Sequence, residues 1–268
     1  NINYYLKIVS DDNLLRRLIE VSNEVNQMGY ITDRDVSETL DEAERKMLSI
    51  VKDRRSTEFQ NIKDVIYRVQ KNLQTLAETK GDITGLATGW TDFDKMTAGL
   101  HENQLIIIGA RPAMGKTAFA LNLATNIAVS LKKSVAVFNL EMSSEQLANR
   151  MLSSLGQIEG YKFASGKLNN NDYVKFNEAL SQLEDTNIFI DDTPGITIGE
   201  IRSKCRRLKT SSSGLDIVII DYLQLISGGK NYGANRQQEV SDISRSLKML
   251  AMELGIPVVA LCQLSRSV

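Results

Sequence analysis

The chain has 268 residues, with 32 Lys+Arg against 33 Asp+Glu, a formal net charge of -1, 42% hydrophobic residues and 24% charged residues. It is too apolar for a disordered segment, and its balanced charge gives no global positive field for nucleic acid, so any such binding must come from local patches or an assembled ring. One histidine, His101, and two lone cysteines, Cys205 and Cys262, exclude a zinc framework and a disulfide scaffold.

Free cysteines fit a reducing, cytoplasmic compartment. No apolar run approaches the ~18 residues of a membrane span, so no membrane is expected as a partner. The opening Asn1-Ile2-Asn3-Tyr4 lacks an initiator methionine and a signal-peptide pattern, and the last residue falls just after an expected strand. The chain therefore reads as trimmed at both ends.

Up to about Val51 the patterns are helical. Leu14, Leu15, Leu18, Val21, Val25 and Met28 recur at helical spacing, and Gly29 supplies a stop. A second pattern runs through Leu40, Ala43, Met47, Leu48 and Val51. This is too little for an independent core, so residues 1–55 read as the C-terminal part of an all-α domain. The charged break Lys52 to Thr57 leads into a predicted helix over Asn61 to Glu78. Ile62, Val65, Ile66, Val69, Leu73 and Leu76 form its narrow apolar stripe. With the glycine-containing stretch Lys80 to Gly85, residues 56–85 form a linker whose stripe must bury on its own chain or on a neighbour.

From residue 86 to 268, short apolar runs alternate with helical stretches. Strands are predicted at Gln104 to Gly109, Ser134 to Leu140, Asn187 to Asp191, Asp216 to Asp221 and Pro257 to Gln263. Helices are predicted at Lys116 to Leu131 and Gln238 to Leu254. Near-continuous apolar strands suit a mostly parallel sheet covered on both faces, so the expectation is a doubly wound α/β domain.

The strongest chemical signal is Gly109-Ala110-Arg111-Pro112-Ala113-Met114-Gly115-Lys116-Thr117, placed between a strand and a helix. A P-loop needs that context, because backbone N–H groups and a helix N-terminus must face the phosphates while a lysine reaches the β- and γ-phosphates. Residues Ala110 to Lys116, with Thr117 and Ala118, are the expected ATP contacts, and Thr117 supplies a hydroxyl for Mg²⁺. In the usual spacing the first glycine would stand at Ala110; here Gly109 precedes it by one.

Asp221 ends the run Asp216-Ile217-Val218-Ile219-Ile220, where a P-loop protein holds the carboxylate that supports Mg²⁺. Glu141 follows another apolar strand, either as the base that activates water or as an acid favouring the next helix start. Gln263 closes the last strand, to sense the γ-phosphate or simply to cap it. The loop Ser227 to Arg236 offers Lys230, Tyr232 and Arg236 to a nucleic-acid strand, or is a solvated glycine-rich loop. Lys204, Arg206, Arg207 and Lys209 fall on the outer face of an amphipathic helix and read as surface. His101 sits in a turn and needs no catalytic role.

The loop, together with Leu140-Glu141-Met142-Ser143, Ile220-Asp221-Tyr222-Leu223-Gln224, Gln263-Leu264-Ser265-Arg266, Thr88-Gly89-Trp90 and Met96-Thr97-Ala98-Gly99-Leu100, resembles the bacterial DnaB-type replicative DNA helicases. The resemblance covers the whole chain. It implies a RecA-like P-loop NTPase motor in a homohexameric ring, hydrolysing ATP while moving on single-stranded DNA, with DNA primase and a helicase loader as partners at the nucleoid. It likens residues 1–55 to the end of a primase-binding domain and Asn61 to Glu78 to a linker helix docked on a neighbouring subunit. It also implies catalysis by Glu141 with Lys116, γ-phosphate sensing by Gln263, and a nucleotide contact by Arg150. That family's arginine finger and main DNA-binding loop match nothing before Val268. Two alternatives stand beside it: a recombinase-type, ATP-gated DNA-binding protein, and a RecA-like regulatory ATPase with no DNA partner.

Overall fold

A computed structural model describes residues 2–30, 36, 39, 42–43, 46–47, 61–78, 83–227 and 236–264. The chain divides into two compact units, Asn1–Thr79 and Lys80–Val268.

The first unit holds α1 (Ile2–Met28) and α2 (Ile62–Glu78). Helix α1 ends one residue before Gly29, as its sequence requires, and buries Val21 and Met28. Of the second helical pattern, Ala43 and Met47 are helical, while Leu40, Leu48 and Val51 lie outside the described residues. Ile62, Ile66, Val69 and Leu73 are exposed on α2. The division groups α2 with the preceding residues, whereas the sequence pattern sets it apart as a linker.

The second unit is a three-layer α/β/α domain. Its elements are α3 (Thr91–Thr97), β1 (Leu105–Ala110), α4 (Lys116–Leu131), β2 (Val135–Asn139), α5 (Ser144–Leu155), α6 (Gly160–Ser165), α7 (Asn170–Glu184), β3 (Ile188–Asp191), α8 (Ile198–Thr210), β4 (Ile217–Asp221), a 3₁₀ turn (Leu223–Leu225), α9 (Arg236–Leu254) and β5 (Val258–Gln263). The five strands pair in the order β1-β5-β4-β2-β3, all parallel.

Alternation along each strand feeds two cores. Ile217 and Ile219 face the side covered by α4 and α5, together with Val135, Val137, Leu121, Ile127 and Leu147. Val218 and Ile220 face α8 and α9, with Phe138, Ile201, Ile243 and Leu247. Strands β2 and β4 are buried along their whole length, which is why their sequences are almost wholly apolar.

Two local devices tie α4 to the segment that precedes β1. Trp90 stacks on Phe119 with ring centroids 4.5 Å apart. The buried Asp94 carboxylate accepts from Thr88 N and Oγ1 and from Gly89 N, and Asn126 Nδ2 donates to Thr88 O. Gly89 has φ +83, and a Cβ there would meet the Asn126 side chain at 3.1–3.3 Å.

Candidate nucleotide site

Lys116, Thr117, Asp221, Glu141 and Gln263 lie at or just beyond the carboxyl ends of the strands, where α/β sheets bind ligands. The loop after β1 turns through Ala113 (φ 63) and Gly115 (φ 84), both left-handed. Backbone of this kind forms anion-binding concavities. Gly115 is the N-cap of α4 with no side-chain cap, and the first turn carries no acid. By contrast, α5, α7 and α8 each begin with a full capping box. The start of α4 therefore keeps its N–H groups and positive end for an outside anion.

Ala110 belongs to β1, in register with Gln263, and its carbonyl accepts from Leu264 N at 3.0 Å. The glycine one place earlier has its own reason: a Cβ at Gly109 would meet Leu264 Cδ2 at 3.1 Å. Arg111, Pro112, Ala113, Met114 and Ala118 are exposed around the loop.

Lys116, Thr117 and Asp221 form the centre. Thr117 Oγ1 donates to Asp221 Oδ2 at 2.5 Å, and Lys116 Nζ lies 3.1 Å from Asp221 Oδ1. The Lys116 and Asp221 side chains are only 10% and 1% exposed. Although that ion pair is close, its alignment makes no directed hydrogen bond, and Nζ and Oδ1 are both buried without one. The ammonium also sits over the Tyr222 ring, 3.8 Å from its centroid.

Buried, oppositely charged atoms that make no directed hydrogen bond fit an incoming phosphate and cation, because each can gain one there. Thr117 and Asp221 together supply the hard oxygen donors that Mg²⁺ prefers.

Asn139, which the sequence reading did not single out, ends β2 opposite Asp221 in register. Glu141 stands just beyond that strand end, exposed, with its N–H bonded to Asn139 Oδ1 at 3.0 Å. Ser143 caps the following helix, and Glu145 is the acid in its first turn. Arg150 is exposed on α5, and no hydrogen bond among the described residues joins it to the centre.

Gln263 is exposed at the end of β5; its backbone N–H donates to Gln224 Oε1 and its carbonyl accepts from Gln224 Nε2. Gln224 was likewise not picked out in advance. Lys230 and Tyr232 lie outside the described residues, whereas Arg236 opens α9 with its guanidinium on Glu239 and the Gln224 carbonyl.

Three of the four basic residues singled out on α8, Lys204, Arg206 and Lys209, are bonded within the chain, as is Arg202. Arg202 and Arg206 both bond Glu253 of α9, Lys204 bonds Asp191, and Lys209 Nζ donates to Leu215 O at 2.8 Å.

Residues 85–268 match the family described as the DnaB-like helicase C-terminal domain. The chain is 50% identical to the replicative DNA helicase DnaC of Bacillus subtilis (strain 168) and 48% identical to the replicative DNA helicase DnaB of Geobacillus stearothermophilus. Each comparison takes in 100% of this chain and 59% of the relative, so the chain spans about three-fifths of the length of the curated relatives it matches. A solved DnaB-like replicative helicase, described with its interactions with primase, superposes with a TM-score of 0.78 at 31% identity, over 98% of this chain and 60% of that one. A solved ATPase domain gives a TM-score of 0.72 at 35% identity, over 78% of this chain and 73% of that one.

Proposed function

The chain belongs to the DnaB-like replicative helicase family, and on that premise we propose that it is the ATP-hydrolysing motor portion of a replicative DNA helicase, moving on single-stranded DNA and unwinding duplex at the replication fork. The observation that carries this reading is the buried Lys116–Asp221 pair beside Thr117, at the mouth of a loop built to receive phosphate.

In this reading Ala110 to Gly115 and Ala118 wrap the nucleotide while Lys116 meets its phosphates. Mg²⁺, held through Thr117 and Asp221, would neutralise charge on the phosphates. Glu141 orients and deprotonates the attacking water, Gln263 senses the γ-phosphate, and Arg150 is a further nucleotide contact. Lys230 and Arg236 contact the DNA strand; for Arg236 this requires release from Glu239 and the Gln224 carbonyl.

The working form is a homohexamer in the cytoplasm at the nucleoid, with primase and a loader as partners. Residues 1–55 are the end of a helical domain, 56–85 a linker and 86–268 the motor. The exposed stripe of α2 supports docking on a neighbouring subunit.

The test is strand displacement on a forked substrate by the intact protein. Unwinding that needs ATP is expected. DNA-stimulated hydrolysis without displacement would instead favour a recombinase-type protein.

A further inference from the structure

Asn139 is 1% exposed, a primary amide sealed between two halves of the nucleotide site. Its Nδ2 donates to Asp221 Oδ2 at 3.4 Å, on the oxygen that Thr117 also bonds. Its Oδ1 accepts from Glu141 N at 3.0 Å and from Met142 N at 2.7 Å. The amide orientation is fixed by this company. Turned over, it would set an NH₂ group against two N–H donors and an oxygen against a carboxylate.

The backbone repeats the connection once, since Leu140 N donates to Asp221 O at 2.9 Å. Beyond Leu140 the turn leaves the sheet, and the Asn139 side chain is what ties its next two N–H groups back towards β4. Few side chains could replace it. A carboxylate keeps the acceptor but faces Asp221 with like charge, and leucine keeps the branching but none of the three bonds.

We propose that Asn139 is a positioning residue for ATP hydrolysis: its buried amide clamps the turn carrying Glu141 to the Asp221 carboxylate, setting the water-activating group relative to the phosphate-facing centre. This rests on the proposed function, in which Glu141 acts on water. Partners of this outer kind are typically worth ~10–100-fold in activity.

The test uses the intact protein and its Asn139→Leu, Asn139→Asp, Glu141→Gln and Asn139→Leu/Glu141→Gln variants. The turnover rate is measured per nucleotide-binding site, alongside fluorescent-nucleotide affinity. Both Asn139 variants should turn over ~10–100-fold more slowly, and in the uncharged Asn139→Leu nucleotide affinity should stay within about twofold of the parent. In the Glu141→Gln background, Asn139→Leu should add almost nothing, because the group it positions is already gone.

Counting per site removes molecules lost to misfolding. If Asn139→Leu does not fold, the shape-conserving Asn139→Asp and its own double variant carry the test. Parental turnover in these variants, or losses that add fully to that of Glu141→Gln, would overturn the clamp. A parent that binds no nucleotide and hydrolyses none would overturn the functional reading itself, and the clamp with it.

Discussion

Thr117 Oγ1 reaches Asp221 Oδ2 at 2.5 Å across 104 positions of sequence, joining the first turn of α4 to the last residue of β4. The two side chains proposed to hold the metal stand within one hydrogen bond of each other, on rigid elements. The same carboxylate faces Lys116 and Asn139.

Lys116→Ala should abolish tight ATP binding, since it removes the charge that meets the phosphates. The structure adds a second consequence that the sequence did not disclose. Asp221 would stay buried with only Thr117 and Asn139 as donors, and breaking a buried pair costs up to ~3–5 kcal/mol. Thermal unfolding without nucleotide should show a lowered midpoint. An unchanged midpoint would mean the pair contributes no net stability.

Glu141→Gln keeps the turn and its two N–H bonds to Asn139 Oδ1 but removes the base. Hydrolysis should fall by ~10²–10⁴-fold while nucleotide still binds. Near-parental turnover would remove Glu141 from the hydrolysis step, since Glu145, not Glu141, is the acid in the first turn of α5.

Changing Ile66 and Val69 together to Asp tests the α2 stripe. The two side chains are 57% and 51% exposed, so the charges should leave the chain folded and competent for ATP. Sedimentation should show loss of the proposed hexamer, because each buried charge in a docking groove would cost several kcal/mol. An intact oligomer would show that the stripe does not hold it together.

Glu253 links α9 to α8 through Arg202 and Arg206. Burial alone would raise its carboxyl, but the bonds and charges of the two arginines outweigh that and hold it below the ordinary value of 4.5. A carboxyl lowered on folding stabilises above its ordinary value, and this contribution is lost as pH falls through the lowered one. Glu253→Gln should therefore cost ~1 kcal/mol near neutral pH, a modest figure because the group is partly exposed. In strong acid the difference from the parent should vanish, as paired thermal melts would reveal.

Cys205 is buried in the α8 core face, and that burial, with the nearby Asp191 charge, pushes its thiol up to about 12. A thiol reagent at mildly alkaline pH should spare it in the native chain and label it only after denaturation. Equal labelling of Cys205 and Cys262 in the native state would mean that α8 opens readily.

Much of this was legible because a strand buried on both faces leaves few residue choices. The apolar runs ending at Asp191 and Asp221 stop in the structure at those same residues, and α4 spans Lys116–Leu131 as its pattern requires. Strand starts shift inward by one residue where a polar or proline residue precedes the first ladder position, as at Ser134 and Pro257. The short helices α3 and α6 carried too little periodicity to stand out. What composition and spacing could not disclose was company across the sheet. Asn139 in an apolar strand looks like an imperfection until register sets it opposite Asp221. Tyr222 looks like one more aromatic until its ring lies under Lys116.

Strand β4 has a paired neighbour on each side and is buried from end to end. Its amides should be among the slowest of the chain to exchange with deuterated solvent, opening only when the whole second unit does. Asp221 is then a fixed reference mark. Glu141 lies two residues past the end of β2 with its amide held by the Asn139 side chain, so release of that turn should show as faster exchange at this one position.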